Sequence, residues 1–394
     1  MQLDLPPSLP DPDAHSALHS ERMAAFIRER IDDAGGDISF AEYMQHALYA
    51  PGLGYYAAGT TKFGEAGDFI TAPEVSSVFG RIVARQCAEV LTQIDGGEIL
   101  EYGAGSGKLA VDMLGCLAEL DALPSAYRIL EVSADLRERQ EERLHQQVPD
   151  LAHLVTWLSA PSDSIHGVVV ANEVLDALPV ERFVRRDDGV KQLRVQAGRH
   201  GFEFAELPAP ERLASAVEKI EREIGEQLPD GYVSEVCIAL PDWIAQVSGS
   251  LQEGVVLLFD YGVSRREYYA RERSDGWLRC HFRHHAHNDP LVLPGIQDLT
   301  AWVDFTSVAV AAAEAGFNVA GFSTQAQFLM AGGLDLEMQG FEILSLEGQL
   351  ELSRQIKTLT LPGEMGEHFK CMALRKGSST TPSAFDLADR THTL

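Results

Sequence analysis

From Ser16 to Ala34 the apolar residues Leu18, Met23, Phe26, Ile27 and Ile31 recur near helical spacing, and Gly35-Gly36 follows as a stop signal. A first helix is expected there. Ser39 and Glu42 form an S-x-x-E capping box, which predicts a second helix ending near Pro51. The stretch 51–68 is rich in glycine yet carries Leu53, Tyr55, Tyr56 and Phe63, too much apolar surface for a solvated linker. It predicts an ordered functional loop. A third helix, opened by Pro73 in its first turn, should run to about Ile94. Upstream, residues 1–13 hold four prolines and three aspartates and predict a disordered arm over residues 1–15.

After Asp95-Gly96-Gly97 the period changes. Short apolar runs at 98–102, 127–131, 153–158 and 166–171 follow one another, with helical patterns after the first two at about 106–121 and 134–147. This rhythm predicts an α/β fold built on a doubly wound parallel sheet. Between Pro179 and Glu253 it breaks into polar hairpin-like segments and helices, read as an α+β insertion at about 180–250. The sheet should resume at 254–260 and gain strands at 317–322 and 369–376, while the alanine- and valine-rich tract 308–315 predicts a buried helix face. Residues 16–95 would then be a helical N-terminal cover and 96–394 a single α/β domain.

Charge narrows the partners. The 394 residues carry 59 acidic against 32 basic side chains, a formal charge of −27, which repels phosphate backbones and anionic lipid. No nucleic acid and no membrane insertion are expected, and a cationic partner is. Cys87, Cys116, Cys237, Cys280 and Cys371 stand singly with no C-x-x-C pair, which argues against a disulfide framework or a zinc cage. No presequence pattern and no run of eighteen apolar residues is present, so a cytoplasmic location is expected.

The densest chemistry follows the first strand, at Glu101-Tyr102-Gly103-Ala104-Gly105-Ser106-Gly107-Lys108. Gly103 lets the chain turn off the strand, and Gly105 and Gly107 remove β-carbons that would collide with a nucleotide-like ligand. The dinucleotide pattern G-x-G-x-x-G fails at Lys108, and a P-loop fails at Tyr102 and Leu109. What remains is E-x-G-x-G-x-G, which resembles motif I of class I S-adenosylmethionine-dependent methyltransferases. Glu131, ending the second strand, is placed to grip two ribose hydroxyls. At the end of the fourth strand Asn172, Glu173 and Asp176 would project where open α/β sheets hold their ligands. Alternatively, Asp176 is a helix cap and Glu173 a solvated first-turn carboxylate.

The sequence also resembles the MidA-like methyltransferases over nearly its whole length. The resemblance is carried by Gly54-Tyr55-Tyr56, by Gly67-Asp68-Phe69-Ile70-Thr71-Ala72-Pro73-Glu74, by Glu131-Val132-Ser133 with Gln140, and by Asn172-Glu173 through Asp176-Ala177-Leu178-Pro179. It continues in Asp260-Tyr261-Gly262, Asp298-Leu299-Thr300 and Val303-Asp304-Phe305. One departure is Trp277 before Leu278-Arg279, where such sequences often have threonine. The resemblance implies a class I methyltransferase fold with Rossmann-like winding, S-adenosylmethionine as cofactor and S-adenosylhomocysteine as product. It places Glu101, Tyr102, Gly103, Ala104, Gly105, Gly107, Glu131, Val132, Asn172, Asp68, Phe69 and Thr71 at the cofactor. It further implies symmetric dimethylation of a protein arginine, with a respiratory complex I subunit homologue as one partner, while leaving a homodimer open.

Methyl transfer from a sulfonium is an in-line displacement, so the enzyme must chiefly exclude water and hold the nucleophile near the methyl carbon. Arginine stays protonated to a pKa of about 12.5–13.8 and spreads its lone pairs over three nitrogens. Bidentate pairing with Glu173 would fix the guanidinium plane and draw positive charge toward the gripped nitrogens. Asp68 or Asp176 could complete the clamp. In the segment 280–287, His284 or His287 could accept the released proton, or these are loop histidines bonded to backbone. No metal is expected, because the neighbouring carboxylates make no convincing ligand set. The alternatives are a small-molecule or other-residue methyltransferase, a cofactor-binding assembly chaperone for a respiratory complex and, more remotely, a nicotinamide-dependent oxidoreductase.

Overall fold

The computed structural model describes residues 9–58, 70–161, 164–377 and 380–394. Two compact units emerge. The α/β unit takes Ile70–Val174, Pro241–Val263 and Phe305–Leu394. Its sheet uses β1 (Glu98–Tyr102), β2 (Ala126–Leu130), β3 (Val155–Leu158), β4 (Ile165–Asn172), β5 (Leu251–Val263), β6 (Asn318–Thr324) and β7 (Phe369–Lys376), laid side by side as β3-β2-β1-β4-β5-β7-β6. Strands β1 to β5 pair in parallel, and β7 runs antiparallel to both β5 and β6. The order reverses between β1 and β4, the switch point where such sheets bind ligands.

The central strands are apolar on both faces because helices cover both. Val168, Val169 and Val170 of β4 and Val255 to Leu258 of β5 are all 0% exposed. Each such side chain contributes about 2 kcal/mol of burial. The expected third helix is broken in two, Ala72–Val75 and Ser77–Gln93. Ser76 between them is fully extended, and its Oγ both accepts from the Val78 N–H at 3.3 Å and bonds Gln355 at 2.8 Å. The longer helix then lies on the helix Lys108–Glu119 so closely that a β-carbon at Gly80 would stand 2.7 Å from Asp112 Cβ.

The second unit gathers the described residues before 59 with Leu175–Leu240 and Ser264–Asp304. The helices Ala14–Asp33 and Phe40–Tyr49 form as expected, the second with its Ser39–Glu42 capping box complete. Strand Asp37–Ile38 adds to an antiparallel sheet of Glu181–Arg186, Gly189–Ala197, Phe202–Pro208 and Val233–Val236. The N-terminal helices and the inserted segment therefore share one core, with Phe40 against Phe204 and Tyr43 against Phe202, both at 5.7 Å between ring centroids.

Three expectations are corrected here. Over its described residues the N-terminal arm is packed, since Leu9 is buried with Phe282 and Leu293 and Asp13 caps the first helix. The histidine-rich segment is no loop: Leu278–Phe282 and His285–His287 form a hairpin, and Asp298–Ala301 pairs on its other side. The turn residues Arg283 and His284 have φ of 48° and 63°, the conformation of a tight hairpin turn. Helix Ser77–Gln93, grouped with the cover in the sequence reading, belongs to the α/β unit.

Candidate active site

Where β1 ends, Gly103, Gly105 and Gly107 adopt φ of 63°, 53° and 80°. A left-handed backbone at three alternate positions is what a side chain would resist. A β-carbon at Gly107 would also meet Gln140 at 3.3 Å. The turn then delivers the helix Lys108–Glu119 with its N-terminal amides leading. Beneath it, Glu101 is 2% exposed and accepts a 2.7 Å bond from the Tyr127 hydroxyl. Burial pushes the Glu101 carboxyl up to about 7, the Tyr127 bond opposes this, and the charge of Glu131 adds to it. Tyr102 is buried and meets Trp243 edge-on at 5.5 Å, and Ala104 is also buried.

Glu131 ends β2 with its carboxylate held in place. Its Oε1 accepts from the Ser133 N–H at 2.8 Å and its Oε2 from Gln140 Nε2 at 3.1 Å. Beside it the Val132 side chain is 77% exposed, an apolar surface next to a fixed acceptor. Ser106 in the glycine turn donates to Glu74, and Arg143 donates to both, at 3.1 Å and 3.3 Å. This links the Pro73-Glu74 turn to the glycine loop. Thr71 stands just ahead as the N-cap residue of Ala72–Val75, while Asp68 and Phe69 lie outside the described residues.

At the end of β4, Glu173 is a non-glycine residue at φ 53°, fixed by its N–H donating to the Phe259 carbonyl of β5 at 2.9 Å. Asn172 Nδ2 donates to Glu173 Oε1 at 3.1 Å, leaving Asn172 Oδ1 buried without a hydrogen-bond partner among the described residues. Left-handed backbone is uncommon outside glycine and costs on the order of 1 kcal/mol or more, so surrounding bonds must hold it. Asp176, three residues on, belongs to the second unit, where it is 3% exposed and its carbonyl accepts the Ala301 N–H at 2.9 Å. In that unit Tyr56 donates to Asp298 Oδ1 at 2.9 Å and stacks on Tyr49 at 5.6 Å. Burial, Asp298, Tyr49 and Asp176 together hold the Tyr56 hydroxyl well above its usual range, so it stays a donor.

The two histidines part company. His284 is exposed in the hairpin turn, whereas His287 is buried on the strand after it. Burial lowers the His287 pKa against the opposing influence of Asp289 and Gln297, which favours the neutral ring. Among the described residues no group of three or more His, Cys, Asp or Glu side chains is set to hold a metal ion.

Some of the machinery escaped sequence reasoning. Tyr56–Asp298 joins residues 242 apart, and the Glu74–Ser106–Arg143 cluster joins a turn, a loop and a helix. Gln140 did leave a signal, being the polar member of the buried stripe Leu136, Gln140, Leu144.

Comparison with known proteins agrees with this geometry. The model of a family of S-adenosyl-L-methionine-dependent methyltransferases matches residues 82–323. A superfamily member from Burkholderia thailandensis, crystallised bound to S-adenosyl-homocysteine, superposes with a TM-score of 0.92 at 38% identity, covering 98% of this chain and 100% of that one. A mitochondrial protein arginine methyltransferase of Danio rerio, NDUFAF7, is 29% identical over 371 residues, 86% of this chain and 83% of the relative. Its Homo sapiens counterpart is 27% identical over 373 residues, 86% and 80% of the two chains. The chain has the class I methyltransferase fold, takes S-adenosylmethionine as its cofactor and belongs to the MidA-like family of S-adenosylmethionine-dependent methyltransferases.

Proposed function

We propose that this methyltransferase modifies protein arginine, with the glycine turn and Glu131 holding the cofactor and Glu173 gripping the guanidinium. The observation that carries the reading is Glu173 itself, a carboxylate fixed at the tip of β4 in a strained turn beside a buried, unpartnered amide oxygen. The residues of the α/β unit fit the cofactor: left-handed glycines keep the backbone open, the Glu131 carboxylate is immobilised, and Val132 offers apolar cover for a base. When bound, that cofactor supplies an electrophilic methyl group.

The protein's part is binding and orientation. Glu173 accepts two guanidinium N–H bonds, which fixes the plane and leaves the third nitrogen to attack. A carbon–nitrogen bond forms as the sulfur–carbon bond breaks, and the methylated nitrogen sheds one proton. That proton passes to solvent. Within the second unit, taken by itself, Asp176, Asp298 and Tyr56 gather acidic and aromatic groups of the kind a cation prefers. The relatives named as protein arginine methyltransferases support this choice of substrate, and family resemblance favours the symmetric product.

The test is transfer of labelled methyl into cell proteins and into arginine-bearing peptides, followed by hydrolysis and separation of methylarginines. Label is expected in dimethylarginine of the symmetric form. A Glu173→Gln variant should keep S-adenosylhomocysteine affinity within about twofold yet lose methylation by ~100-fold or more. Label recovered only in small metabolites, or undiminished turnover by the variant, would overturn the assignment.

A further inference from the structure

We propose that Gln140 is the positioning residue of the cofactor site, one amide that ties together the carboxyl ends of three adjacent strands. The proposal rests on reading the glycine turn and Glu131 as that site. Gln140 lies on the inner face of the helix Ala134–Gln147, between Leu136 and Leu144, and is 0% exposed. An amide in such a stripe is costly unless its groups are paired. Here they are paired in a directional way. The indole Nε1 of Trp157, on β3, can only donate, and its 2.9 Å bond fixes which end of the amide is oxygen. The Nε2 then donates twice, to the Gly105 carbonyl after β1 at 2.9 Å and to Glu131 Oε2 at the end of β2 at 3.1 Å.

The consequences are geometric. With Ser133 N–H on one oxygen and Gln140 on the other, the Glu131 carboxylate cannot turn about its axis. With its carbonyl held, Gly105 keeps the peptide planes of the glycine turn in one orientation. The absent β-carbon of Gly107, which would press on Gln140 at 3.3 Å, lets the helix come close enough for both bonds. Packing alone would be served better by leucine, which would complete the apolar stripe. What leucine lacks is the pair of donors.

The experiment compares Gln140→Leu, Gln140→Glu and, as a control on the site, Glu131→Gln. S-adenosylhomocysteine binding is followed by calorimetry from pH 5 to pH 8, and steady-state kinetics are run with S-adenosylmethionine. Gln140→Leu should weaken binding about tenfold or more and raise KM for the cofactor far more than it lowers kcat, while the ligand-free protein stays folded by circular dichroism. Gln140→Glu should bind worse still at pH 8, where its carboxylate faces Glu131 and the Gly105 carbonyl. It should recover as pH falls, because the protonated carboxyl donates again. A residue that only filled space would give no such pH-dependent recovery. Wild-type affinity in both Gln140 variants, with binding lost in Glu131→Gln, would overturn the proposal and leave the site standing. Wild-type affinity in Glu131→Gln would overturn the site and the proposal together. Should Gln140→Glu fail to fold at pH 8, the KM-against-kcat split in Gln140→Leu decides.

Discussion

Two glutamates at strand ends show how environment divides one side chain's chemistry. Glu173 stands in a left-handed turn tied by its N–H to the Phe259 carbonyl, whereas Glu101 is sealed under the glycine turn with Tyr127, where burial pushes its carboxyl up to about 7. The raised value has a definite sign. The native state keeps a proton on Glu101 that the unfolded chain releases near 4.5, so this group's contribution to stability falls as pH rises from about 4.5 to about 7 and then levels off. Its full span is about 3 kcal/mol. Glu101→Gln should remove that fall, so urea unfolding at pH 5 and pH 8 should differ less in the variant than in the wild type. The glycines, Glu131, Asn172 and Glu173 could be read at residue scale because their spacing alone ties them to strand ends. The state of Glu101 could not, since its burial depends on Tyr127 from the next strand.

Elements were legible where the pattern is local. The helix 134–147 and the strands 98–102 and 369–376 lie where periodicity puts them, and the capping box at Ser39 is realised bond for bond. The break at Ser76 was only half visible, because one of the two bonds its Oγ makes there goes to Gln355, 279 residues away. The hairpin at 278–287 was hidden because Arg283-His284 takes the left-handed turn without the asparagine or glycine that announces one. Helix packing gives a prediction at this scale. Gly80→Ala gains helix propensity of about 1 kcal/mol but drives a methyl to 2.7 Å from Asp112 Cβ, so the helices must part. A net loss of about 1–2 kcal/mol is expected, read as a lower Tm and a lower urea midpoint.

For the molecule as a whole, a charge of −27 acts as a long-range attractor for cations. If the substrate is an arginine-bearing segment, its KM should rise several-fold between low and physiological salt, because exposed charges are screened beyond about 8–10 Å. Cofactor affinity, set by short bonds inside the α/β unit, should move much less, and parallel titrations in salt would show the difference. The sheet alternation and the inserted segment were visible in the sequence. That the insertion and the N-terminal helices form one unit was not, since the contacts of Phe40 with Phe204 and of Asp37 with Gln196 span more than 150 residues. This interleaving bears on biosynthesis. At about 5–20 residues per second, Phe40 is added to the chain roughly 8–33 seconds before Phe204. Throughout that interval the first helices have an apolar face and nothing to close it. Slowing translation of the middle third should therefore lower the yield of folded protein, read as soluble yield, and leave the specific activity of what does fold unchanged.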